Sequence, residues 1–90
     1  MLSVSELNEQ AKTLLETTFS YVEVEGEISR LVRHGSGHWY FTLKDEKAAI
    51  SAVIYKFNAA KLKFDVADGM KVALYGKISL YSPSGSYQFI

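Results

Sequence analysis

Residues 37–55, GHWYFTLKDEKAAISAVIY, carry two apolar-rich runs, His38 to Leu43 and Ala48 to Tyr55, on either side of the charged cluster Lys44, Asp45, Glu46 and Lys47. Two such runs joined by a short polar cluster predict an antiparallel hairpin. Successive strand side chains point to opposite faces, so Trp39, Phe41 and Leu43 share one face and His38, Tyr40, Thr42 and Lys44 the other. In the second run Ile50, Ala52 and Ile54 extend the apolar face, which leaves Ser51, Val53 and Tyr55 beside Tyr40. Trp39 and Phe41 are thereby assigned to the core. The outward aromatic and basic surface is the candidate site.

N-terminal to the hairpin, the segment from Tyr21 also has period two. Val22, Val24, Gly26 and Ile28 fall on one side and Glu23, Glu25, Glu27 and Ser29 on the other, which predicts a strand. Gly26 in its middle marks the expected bend or bulge of a curving strand. Arg30 to Gly37, RLVRHGSG, reads as a loop carrying Arg33 and His34. It lacks the GxxxxGK[ST] spacing of a phosphate-binding loop. His34 and His38 have no evident third ligand, and alternating strand glutamates diverge into solvent, so neither group is read as a metal site. Further upstream, Ser3 followed by Glu6 is a capping-box pattern. Val4, Leu7, Ala11, Leu14 and Leu15 then form one helical stripe to about Thr17, expected to dock over one end of a barrel.

C-terminal to the hairpin, Asn58 is expected to cap a short helical turn through Leu62, with Phe57, Leu62, Phe64 and Val66 as plugs for the barrel's open end. Asp68-Gly69 is a turn signal. Met70 to Tyr81 alternates as one long strand with Gly76 near its centre. Ser82-Pro83-Ser84-Gly85-Ser86 is a turn, and Tyr87 to Ile90 begins a last strand that is expected to run on beyond this chain.

Composition narrows the class. Ninety residues suffice for one domain with a modest core, and no cysteine is present, which removes disulfides and Cys-based zinc sites. No apolar run is long enough to cross a membrane, and MLSVSELNEQ is not a secretory leader, so a cytoplasmic location and no membrane partner are expected. Ten basic residues balance ten acidic ones. Binding of nucleic acid by bulk charge is thereby disfavoured. The charge is nevertheless uneven: from Arg30 to Lys63, seven basic residues face only Asp45 and Glu46, a net +5.

Five strands, glycines in the long first and fourth, a helix between the third and fourth and flexible loops at 1–2 and 4–5 predict an all-β, five-stranded OB-fold barrel with an N-terminal helix. An SH3-like barrel is the rival. Residues 1–18 are assigned to the helix packed on the barrel, and residues 19–90 to the nucleic-acid-binding barrel, truncated in its fifth strand.

The blocks Gly26-Glu27-Ile28-Ser29, GHxYFxLKD over 37–45 and SLYxxxGxYQ over 79–88, with Asp68-Gly69 and the opening Leu2 to Asn8, resemble the N-terminal domain of the exodeoxyribonuclease VII large subunit over essentially all 90 residues. That resemblance implies an OB-fold presenting single-stranded DNA to a separate nuclease domain, which is absent here. It also implies association with the enzyme's small subunit through the rest of the large subunit. Ser51 stands where a basic residue would extend the charged face, which implies weak binding by the isolated domain.

Single-strand binding needs flat platforms for bases and cations for phosphates. The candidate platforms are Tyr40 and Tyr55, with Tyr81 and Tyr87 as outer clamps. Arg30, Arg33, His34, His38 and Lys44 are the candidates to track the backbone, with Ser51 on the same face. No residues form a convergent catalytic group, so the chain is expected to be non-catalytic and to need no cofactor. Weak self-association through the open last strand is expected. An anticodon-type RNA-binding module and a subunit-docking domain are the alternatives.

Overall fold

Apolar and polar residues alternate across β1 (Val22–Arg33), β2 (Trp39–Lys44) and β3 (Ala49–Ile54), and the strands pair in that order as an antiparallel meander. The computed structural model describes residues 1–59 and 66–90. Helix α1 (Val4–Thr18) precedes the sheet, and a short helix α2 (Lys56–Ala59) follows β3. Strands β4 (Lys71–Gly76), β5 (Ile78–Tyr81) and β6 (Ser86–Phe89) complete the fold.

The strand order is β4-β1-β2-β3-β6-β5, with β3 and β6 parallel and the other pairs antiparallel. The single long fourth strand expected over Met70 to Tyr81 is divided into β4 and β5. Its first half pairs with β1 and its second half with β6, at opposite ends of the order, although only Lys77 separates them along the chain. The sheet therefore curls back on itself as a barrel does, without a closed ladder of hydrogen bonds. Gly76 permits the change of partner. A Cβ there would lie 2.1 Å from the Ile90 carbonyl oxygen, and the adjacent Lys77 exchanges both backbone hydrogen bonds with Ile90, at 3.1 and 2.9 Å.

Inside the curl lie Ile28, Phe41, Leu43, Ala52, Val66, Ile78 and Phe89. Trp39 packs at the edge of this core, half-buried. Val66 plugs the interior as expected, whereas Phe57 is 73% exposed and does not; Leu62 and Phe64 lie outside the described residues. Asn58 is not a cap either. Its amide and that of Ala59 both donate to the Tyr55 carbonyl, which places Asn58 within the helical turn.

The bend in β1 falls elsewhere than expected. Gly26 pairs regularly with Val72, and its lack of a side chain serves close packing, since a Cβ would meet Leu43 at 2.9 Å. The register instead shifts between Ser29 and Val32, where Arg30 and Leu31 form a bulge opposite Phe41. Arg30 has φ 55°, the left-handed conformation that non-glycine residues seldom adopt. The segment Arg30 to Arg33 is thus strand, and the expected eight-residue loop contracts to a tight connection at His34–His38, closed by His34 N–H donating to the His38 carbonyl.

The capping box at Ser3 and Glu6 forms with both reciprocal hydrogen bonds, and α1 runs to Thr18. Its docking differs from the expected stripe. Val4, Leu7 and Leu14 are exposed, while Asn8, Ala11, Lys12, Leu15 and Glu16 are partly covered. The helix packs on β5, with Leu15 of the expected stripe reaching the core cluster. Ile78 points into the core, so Ser79 must point outward, yet Ser79 is 2% exposed and donates to the Glu16 carboxylate. Polar tethers add to this contact: Asn8 donates to the Ser82 carbonyl at 2.9 Å, and Lys77 approaches Glu16 at 3.9 Å.

Candidate nucleic-acid interface

The outward face of the meander is set by register. Ser29 pairs with Thr42, Thr42 with Ser51, Ser51 with Gln88 and Gln88 with Ser79, so one row of small polar side chains crosses five strands. The next pair along β2 and β3 is Tyr40 with Val53. Tyr40 is 44% exposed and Tyr55 42%, so each offers ring surface to solvent while part of the ring is packed. Val53 departs from expectation. Although it lies on this outward face, opposite Tyr40, it is 5% exposed.

Four rings meet here. His34 and His38 stand edge-on to Tyr40, with centroids 6.0 and 6.4 Å away, and His38 stands edge-on to Tyr55 at 5.3 Å. Backbone donors hold both imidazoles: Lys56 N–H donates to His38 Nδ1 at 2.8 Å and Ser36 N–H to His34 Nδ1 at 3.1 Å. With Nδ1 accepting, the neutral ring carries its proton on Nε2, which is a donor. Gly37, at φ 93°, closes the connection, and a Cβ there would strike the Lys56 side chain at 2.9 Å.

The cations are distributed differently from the sequence expectation. Lys44 lies on the Tyr40 face, one strand end away, and pairs with Glu27 at 3.7 Å with both side chains partly exposed. Arg30 is exposed in the bulge. Arg33, in contrast, pairs across the ladder with Trp39 and sits on the opposite face. Its guanidinium lies 4.9 Å from the Trp39 ring centroid and donates to the Val66 carbonyl. Two residues of bulge upstream and strand alternation downstream turn it away from Tyr40. Ser51 is exposed on the Tyr40 face beside Gln88.

Tyr81 and Tyr87 flank the β5–β6 turn and line separate recesses. Tyr81 shares a groove with Tyr55, Lys12, Lys77 and Gln88. Tyr87 faces a separate recess at the barrel mouth with Val24, Leu43, Ile50 and Phe89, because it is paired with Leu80 on the core side of the hairpin. Lys56 and Gln88 were not singled out from sequence. Alternation from Phe89 would have placed Gln88 outward, but its position beside Ser51 depends on the parallel β3–β6 pairing.

At the far end of the hairpin, Asp45 accepts the amides of Lys47 and Ala48, both at 2.8 Å. These hydrogen bonds hold its carboxyl below the ordinary aspartate range. The turn next to Lys44 is thereby kept short and ordered.

Residues 2–90 match the family model described as an OB-fold nucleic acid binding domain. The chain belongs to this family. The OB-fold chain is 66% identical over 89 residues to the exodeoxyribonuclease 7 large subunit of Campylobacter fetus subsp. fetus, covering 99% of this chain and 23% of that protein. It is 64% identical over 87 residues to the protein of the same name from Sulfurimonas denitrificans, covering 97% of this chain and 21% of that one. For the Nautilia profundicola protein of that name the identity is 48% over 89 residues, covering 99% and 20%. The OB-fold chain thus spans less than a quarter of the length of these curated relatives. Among its described residues, no helix is long and apolar enough to cross a membrane.

Proposed function

We propose that this OB-fold domain binds single-stranded DNA on the outward β1–β2–β3 face and presents it to a nuclease domain elsewhere in an exodeoxyribonuclease VII large subunit. The domain does no chemistry itself. It works in the cytoplasm, and the enzyme's small subunit joins through the remainder of the large subunit. The observation that carries the reading is the ring cluster of Tyr40, His34, His38 and Tyr55, half-exposed on a face that also holds Lys44 and the Arg30 bulge.

The mechanism is stacking with modest electrostatics. Bases unstacked from one another lie on Tyr40 and Tyr55, a contact indifferent to sequence because every base has a flat face. The Nε2–H groups of the two histidines donate to phosphate or base oxygens without needing a positive charge. Lys44 and Arg30 neutralise phosphates, while Arg33 is occupied by Trp39 and Val66. With two phosphates neutralised, log affinity falls with log salt at a slope of about −1.4.

Titration of labelled oligo-dT by fluorescence anisotropy tests this. A folded Tyr40→Ala variant should lose about 1–3 kcal/mol of binding, and Lys44→Ala should flatten the salt slope by about 0.7. Unchanged binding by Tyr40→Ala would remove this face from the proposal. Tighter binding of an oligo-rU of equal length would replace it with an RNA-binding module.

A further inference from the structure

The surface carries a second aromatic pair, at the opposite end of β1 from Tyr40. Tyr21 and Tyr75 stack with centroids 5.6 Å apart and planes inclined by 21°. They are 73% and 60% exposed, more open than either ring of the DNA face. Strand register explains the meeting: Tyr75 on β4 is directly opposite Glu23, and Tyr21 precedes Glu23 by two residues on the same side. Burial cannot be the reason these rings are held together.

The charge beside them is negative. Glu23 faces Tyr75, and Glu25 faces Ala73. Farther along, Glu27 has Lys71 opposite it and Lys44 at 3.7 Å, so its charge is balanced. Among the described residues Glu23 and Glu25 make no such ion pair. Interaction with the Glu23 carboxylate and that carboxylate's charge hold the Tyr75 phenol above the ordinary tyrosine pKa. Stacked neutral rings flanked by two carboxylates repel a phosphate backbone and attract a cation.

We propose that the Tyr21–Tyr75 pair with Glu23 and Glu25 is a docking surface for an arginine-bearing basic segment of a partner protein. Guanidinium is the matching group. It is planar and weakly hydrated, so it can stack on a tyrosine face while its forked N–H groups reach a carboxylate; a compact, strongly hydrated lysine ammonium meets both less well. The surface is open and shallow, and contacts of this kind suit a weak, reversible partner. Its sign also keeps DNA to the other end of β1.

The test uses the 90-residue chain with fluorescein-labelled oligo-arginine and oligo-lysine of equal length at fixed ionic strength. Oligo-arginine should bind about two- to fivefold more tightly than oligo-lysine, the size of an exposed cation–π contact. Tyr75→Leu and, separately, Tyr21→Leu should abolish that preference while leaving weak charge-driven binding of both peptides. The two substitutions lie on different segments, so a folding failure of one leaves the other informative. Glu23→Gln should weaken both peptides, and Tyr40→Ala neither. Equal affinity of the unsubstituted chain for the two peptides overturns the proposal. Shifts of the Tyr21 and Tyr75 ring resonances on adding oligo-dT would also overturn it, by assigning the pair to nucleic acid.

Discussion

The backbone amide of Leu31 donates to the Asp68 carboxylate at 2.8 Å, across 37 residues of sequence. Leu31, like Arg30, has no partner in the β1–β2 ladder, so its N–H would otherwise be left over. The turn that carries Asp68 is fixed to the same region, since Gly69 N–H donates to the Ile28 carbonyl at 2.7 Å. The bulge beside the candidate nucleic-acid face is therefore completed by the lead-in to β4.

Asp68→Ala should destabilise the domain by about 1.5 kcal/mol, the low end for a hydrogen bond to a charged group because the site is exposed. Asp68→Asn keeps an acceptor and should cost about half as much or less. Urea denaturation of the two variants checks the order. Equal losses would show that the turn conformation and not the Leu31 hydrogen bond is what Asp68 supplies.

Arg30→Gly separates stability from binding. Glycine adopts φ 55° without a Cβ clash, so stability should hold or rise by about 1 kcal/mol. The same change removes a cation from the edge of the candidate nucleic-acid face, and if that face binds as proposed the salt slope for oligo-dT should flatten by about 0.7. Thermal melts and anisotropy on one preparation read both effects.

Stability should depend on Glu16 in acid. The Ser79 hydroxyl, then Lys77 and Lys12, hold its carboxyl below the ordinary range, with burial opposing them. A depressed folded pKa stabilises the fold above the unfolded value of about 4.3, and that contribution is lost as pH falls through the folded pKa. Ser79→Ala should cost about 1.5–3 kcal/mol near neutral pH and less below pH 4. Denaturation midpoints from pH 7 to pH 3 test the sign, and a Ser79→Ala penalty that grows in acid would contradict it.

The two strand glycines should respond unequally to alanine. At Gly26 the new methyl meets Leu43 Cγ at 2.9 Å and the Lys44 carbonyl at 3.0 Å, which predicts a loss of about 1–2 kcal/mol. At Gly76 it would fall 2.1 Å from a backbone oxygen of Ile90, and the β5–β6 hairpin must shift, at a cost of about 3 kcal/mol or more. Denaturant midpoints of the two variants decide the order.

Period-two alternation from Trp39 to Ile54 was enough to place Phe41, Leu43 and Ala52 in the core and Tyr40 and Tyr55 outside, because it depends only on the geometry of one strand. Local chemistry likewise announced the Ser3–Glu6 capping box and the turns at Asp45, Gly69 and Gly85. Three features needed the assembled sheet. The bulge at Arg30–Leu31 exists only relative to β2, and it sends Arg33 to Trp39 instead of Tyr40. The covered face of α1 joins Ala11 and Leu15 of the expected stripe to Asn8 and Glu16, whose polar partners Ser82 and Ser79 lie up to 74 residues away. Tyr21 and Tyr75 became a pair only when β4 registered against β1. Alternation reports which way a side chain points along its own strand, whereas these three depend on which strand lies beside it and in what register, and long-range pairing leaves no periodic trace in the chain.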